Sequence, residues 1–131
     1  MVVRPEIPVA MRGFYFDFNW SNALVWALEA PVEEVPLAEL IWHLEIPIWS
    51  TVLGESRFDL KPRDVLHDPS LHPVHYQRLL DVDTRYPLDS MWTTDRFVIL
   101  DGIHRLARLA REGAQTARVR RIPRSDIPRI R

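Results

Sequence analysis

The stretch from Phe97 to Gly113, Phe-Val-Ile-Leu-Asp-Gly-Ile-His-Arg-Leu-Ala-Arg-Leu-Ala-Arg-Glu-Gly, constrains the fold more than any other part of the chain. The apolar run from Phe97 to Leu100 is too short for a helix. Bounded by Asp95-Arg96 and by Asp101-Gly102, it reads as a buried strand. From Ile103 the period changes. Ile103, Leu106, Ala107, Leu109 and Ala110 recur at helical spacing, Arg105, Arg108 and Arg111 share another face, and Gly113 supplies the left-handed stop. A strand, a tight turn and a helix leave free backbone N–H groups and the positive helix end beside a glycine, with His104 and Arg105 in the first helical turn. That arrangement suits an anion. Charge-assisted hydrogen bonds from such donors contribute roughly 1.5–3 kcal/mol each, so a few hold a phosphate.

Leu100-Asp101-Gly102-Ile103-His104-Arg105-Leu106, followed by Gly113 and a basic strand, resembles the signature of the ParB/sulfiredoxin-like superfamily, whose members carry Gly-x-His-Arg or a related sequence at the start of a helix. The Asp-Gly-x-His-Arg form is similar to that of free-serine kinases and of several ParB-like domains. The resemblance rests on about thirty residues with a weaker echo upstream, where Phe58-Asp59-Leu60 and Pro62 to Leu66 resemble the strand and short helix that precede the motif in the superfamily. It implies an α+β (mixed α/β) fold, a small mixed sheet with flanking helices.

Composition limits what the motif can belong to. A chain of 131 residues with 47% hydrophobic residues matches one domain, 1–131, with an extended arm at about 1–20 where Pro5 and Pro8 oppose a helix. With no long apolar run and no leader pattern, the expectation is a cytoplasmic protein without a membrane partner. There is no cysteine. Sulfiredoxins place a Cys immediately before the His-Arg pair, and here that position is Ile103, so sulfinic acid reduction is excluded. The net charge of −1 hides an asymmetry: residues 1–50 hold seven acids against two arginines, and residues 101–131 hold nine arginines against three acids. The two ends either face each other or the basic one marks a phosphate or nucleic-acid surface; the near-neutral total favours local roles.

Along the chain, the aromatic alternation from Phe14 to Trp20 reads as a strand or packing arm, with base stacking as the alternative. Ser21 caps a short helix that Pro31 ends. An echo follows, Leu24-Val25-Trp26-Ala27-Leu28-Glu29-Ala30-Pro31 against Leu40-Ile41-Trp42-His43-Leu44-Glu45-Ile46-Pro47. It predicts two similar short helices with Leu and Trp in the core. Val35 to Leu37 suggests an edge strand, Pro73 to Val82 a helix, 86–92 a strand, and Ala117 to Arg120 an alternating strand.

Asp101 either caps the helix or holds Mg²⁺ near phosphates. Gly102, Ile103, His104 and Arg105 are the nucleotide or phosphate contacts, with surface residues in structural salt bridges as the alternative for His104 and Arg105; His75 and Arg78, three apart on one helical face, add to them or lie on a solvated face. By the resemblance, Asp101, His104 and Arg105 serve the nucleotide and the reacting hydroxyl. Phosphoryl transfer also needs a carboxylate to accept the hydroxyl proton, and Glu45 of His43-Leu44-Glu45 is the candidate, with Glu39 second. His67, Asp68, His72 and His75 with Asp64 suggest zinc, but their spacings match no standard signature.

These residues lead to a nucleotide- or phosphate-binding ParB-like domain. The expected catalytic form is a phosphotransferase using ATP or ADP, or CTP, with Mg²⁺, on a small hydroxyl compound. The alternatives are a nucleic-acid-associated domain and a non-catalytic sensor or partner-binding module, with Trp20, Trp26, Trp42 and Trp49 as its contact surface. Partition proteins share the fold, bind CTP and add a helix-turn-helix, which is not expected in the short stretch after the motif helix. A homodimer is compatible with each reading.

Overall fold

A computed structural model describes residues 18–52, 54–55, 57–93 and 96–131. The aromatic segment from Phe14 lies outside the described residues as far as Asp17. Helix α1 (Asn22–Ala27) leads to strand β1 (Val32–Pro36), and 3-10 turns at Leu37–Glu39 and Ile41–Glu45 follow. Then come helices α2 (Pro62–His67) and α3 (Pro73–Asp81), strands β2 (Leu88–Thr93) and β3 (Arg96–Asp101), helix α4 (Ile103–Arg111), strand β4 (Thr116–Ile122) and the short helix α5 (Ile127–Ile130). The fold is α+β, built on a mixed sheet of order β1-β4-β2-β3. β1 pairs antiparallel with β4, β4 parallel with β2, and β2 antiparallel with β3.

The prolines at 62 and 73 open α2 and α3 at the first helical turn, where a missing N–H costs nothing. α4 ends as its sequence predicts. Gly113 adopts φ 73°, and its N–H and that of Ala114 donate to the carbonyls of Ala110 and Leu109.

Alternation along the strands divides the core in two. One cluster, including Leu79, Leu88, Ile99, Leu106 and Val119, lies with α2, α3 and α4. The other gathers Val25, Met91, Val98, Leu100, Ile122 and Ile130, with α1 and α5. β4 shows the cause: Ala117 and Val119, two apart, enter the first cluster, and Ile122, an odd number of residues on, enters the second from the opposite face.

The echo does not give two equal helices. Its first copy is α1, capped as expected by Ser21, whose hydroxyl accepts from the Leu24 N–H at 3.3 Å. The second copy is the 3-10 turn at 41–45. Leu40 is buried, but Leu24 and Trp26 are exposed, Trp26 by 60%. A helix of six residues buries one narrow face, and in α1 that face is Val25.

His43, the residue that breaks the echo, is a structural staple. Its Nδ1–H donates to the Leu40 carbonyl at 2.7 Å, and its Nε2 accepts the Ile99 N–H at 3.1 Å. Both nitrogens are used and the tautomer is fixed. Burial lowers its pKa to about 4 against the raising effect of the Leu40 bond, with Arg96 adding to the fall.

Candidate functional site

β3 ends at Asp101, and Gly102 turns the chain into α4 with φ 119° and ψ 16°. A Cβ on Gly102 would stand 2.7 Å from Leu88 Cδ2 and 3.3 Å from Nε and Nη2 of Arg105. Only glycine meets both the backbone angle and the space. Gly102 is the N-cap residue, and among the described residues no side-chain hydrogen bond caps α4.

Asp101 does not cap the helix. Its Oδ2 accepts the indole N–H of Trp26 at 2.7 Å and an Arg105 guanidinium N–H at 2.8 Å. Arg105 also donates to the Pro87 carbonyl at 2.9 Å, which fixes the guanidinium against the turn. The exposure of Trp26 therefore has a cause: its polar edge is held by the motif aspartate.

Around this turn opens a cleft of about 760 Å³, lined among others by Trp26, Tyr86, Asp101, Gly102, His104 and Arg105. Tyr86 is 64% exposed, so two aromatic faces stand at the cleft with the uncapped helix end. Asp89 and Arg120 line it too, as a buried ion pair at 2.6 Å. Arg120 also donates to the carbonyls of Leu28 at 2.6 Å and Val25 at 2.9 Å, tying α1 to the sheet. Burial raises the Asp89 pKa against the lowering effect of Arg120. Asp83 is held at about 2 by its hydrogen bonds to Arg85.

A smaller cleft, about 260 Å³, adjoins it, and His104 lines both. His75 and Arg78 belong here, with Trp49, Ser50 and Phe58. The imidazoles of His75 and His104 stack on Trp49 with centroids at 4.7 and 4.3 Å. Burial lowers the His104 pKa to about 4, followed by the charges of His75 and Arg78.

The motif residues Asp101 to Arg105 thus converge on the larger cleft, while His75 and Arg78 meet His104 in the smaller one. Glu45 is not brought to either. It is half-exposed, pairs with Arg63 at 2.8 Å, and lines neither cleft. Glu39 lines neither cleft as well. Among the described residues no group of three His, Asp or Glu is placed to hold a metal ion, so His67, Asp68, His72 and Asp64 form no zinc centre there. For Mg²⁺ at Asp101 the available donor is Oδ1, because Oδ2 already takes two hydrogen bonds.

Several of the C-terminal arginines are locally engaged, while Arg118 is exposed. Arg120 is buried on Asp89, Arg121 pairs with Glu33 at 2.6 Å and lies over Phe97, and Arg108 bonds Glu112 and the Leu80 carbonyl. No helix among the described residues is long and apolar enough to cross a membrane.

Sequence reasoning named Trp26 as part of an aromatic contact surface but missed its bond to Asp101, and it missed Tyr86 and the Asp89–Arg120 pair. The pair had a signal, since Asp89 and Arg120 are opposite charges inside segments that read as strands; the indole of Trp26 had none. No family model, curated protein or solved structure matches this chain.

Proposed function

We propose that the chain is a nucleotide- or phosphate-binding domain of the ParB-like kind, and that the larger cleft is its binding site. The carrying observation is the uncapped N-terminus of α4, opening at Gly102 into a cleft with Arg105 at the turn and two exposed aromatic rings. The helix end and its N–H groups favour the phosphates, and Trp26 or Tyr86 gives a base a flat surface. Mg²⁺ would be held by Asp101 together with the phosphates and would neutralise their charge.

Phosphoryl transfer to a small hydroxyl compound extends this reading. It requires a proton acceptor other than Glu45, whose distance from the cleft supports the binding form first. Nucleic-acid association has weaker support, because Arg120 and Arg121 are paired within the fold.

Calorimetric titration of ATP, ADP and CTP with Mg²⁺ into the wild type and Tyr86→Ala tests the proposal. At least one nucleotide binds the wild type, and loss of base stacking, about 1–3 kcal/mol, weakens it roughly tenfold in the variant. No binding of any nucleotide to folded wild type overturns the reading.

A further inference from the structure

The smaller cleft carries chemistry that nucleotide binding does not use. His75 is 9% exposed, and its Nε2–H donates to the Ser50 carbonyl at 2.9 Å. In its neutral form His75 therefore presents a bare lone pair at Nδ1. That nitrogen is buried without a partner among the described residues, and so is Nε2 of His104. Unpaired buried polar atoms are costly, and two on adjoining rings beside a cleft call for a ligand.

The two imidazoles stand side by side. Their planes lie within 14° of each other and their centroids are 5.8 Å apart. This is too short for Trp49 to lie between them, given 4.7 and 4.3 Å to the indole, so both imidazoles lie against one face of it.

The chemistry of the partner follows from the nitrogens. His75 Nδ1 accepts, and His104 Nε2 donates when the neutral ring carries its proton there. A hydroxyl is the group that both gives and takes a hydrogen bond. A cation is disfavoured by Arg78 on the same wall and by the lack of a third ligand among the described residues. An anion would need a proton added to His75 before both rings could donate to it.

We propose that the smaller cleft binds a hydroxyl-bearing small molecule, its O–H donating to His75 Nδ1 and its oxygen accepting from His104 Nε2, over the indole of Trp49. The proposal does not rest on nucleotide occupancy of the larger cleft. His104 lines both clefts, so the bound hydroxyl lies beside the site at which phosphates are proposed.

Imidazole ¹⁵N resonances of the full chain, titrated with glycerol without nucleotide, test this. Its tris-methyl ether, which carries no hydroxyl donor, serves as the control. Glycerol produces a saturable shift of both His75 Nδ1 and His104 Nε2, the ether does not, and His75→Phe weakens glycerol binding at least about tenfold. The wild-type titration decides the matter if that variant does not fold. No saturable shift, equal shifts from glycerol and its tris-methyl ether, or a direct N–H···N bond between the two rings overturns the proposal.

Discussion

Replacing Gly102 by Ala perturbs the motif turn at one atom. A residue with φ 119° is strained once it carries a side chain, and the new Cβ would meet Leu88 Cδ2 at 2.7 Å. Leu88 is 1% exposed and has little room to move. Strain of about 1–2 kcal/mol and overpacking of about 1–3 kcal/mol place the loss near 3 kcal/mol. At about 2.1 cal/mol/K of unfolding entropy per residue, that lowers Tm by about 10 °C. Gly113→Ala separates the two contributions, because Gly113 also has positive φ, 73°, but a Cβ there meets nothing within 4 Å. Its loss is the strain alone, about 1 kcal/mol, or about 4 °C. Thermal denaturation of both variants gives the comparison, with nucleotide titration of Gly102→Ala expected to show weaker binding as Arg105 is displaced. Equal Tm shifts in the two variants would refute the argument that Leu88 and Arg105 press on this turn.

Acid provides a second test. His43 and His104 have pKa values lowered to about 4 from 6.5, so the unfolded chain binds more protons between those limits and stability falls as pH drops from 6.5 to 4. Each histidine contributes a loss of about 3 kcal/mol, and urea midpoints flat over that range would contradict it. Arg120→Met leaves the Asp89 carboxylate buried and unpaired and costs about 3–5 kcal/mol, while adding Asp89→Leu recovers much of it; calorimetric melting of both variants checks this. Glu45→Gln removes an exposed pair worth under about 1 kcal/mol and leaves nucleotide affinity unchanged; a tenfold loss in titration would bring Glu45 into the site.

The sequence makes the motif unit legible because every local signal agrees. The apolar run, the glycine at positive φ, the helical period and the terminal Gly113 correspond to β3, the turn and α4. The helix at Pro73, the edge strand β1 and the strand around Arg118 follow from proline placement and alternation in the same way. The echo misleads because similar sequence meets different tertiary demands. His43 is drawn into the core by two backbone partners, whereas Ala27 at the equivalent position is exposed. The indole of Trp26 depends on Asp101, seventy-five residues away in sequence, and no local pattern encodes a hydrogen bond at that separation. For the same reason the meeting of Trp49, His75 and His104, from three separate segments, cannot be read from spacing.

The staple at His43 also governs how the sheet meets other chains. β3 lies at one end of the strand order, where an edge strand exposes donors that can recruit a strand from another molecule. At Ile99 that donor is already taken by a side chain of the same molecule. An incoming strand would have to give up one rung of its ladder or expel a buried imidazole. The lock holds only while His43 Nε2 keeps its lone pair, so acidification that protonates the ring turns a guarded edge into one open to self-association.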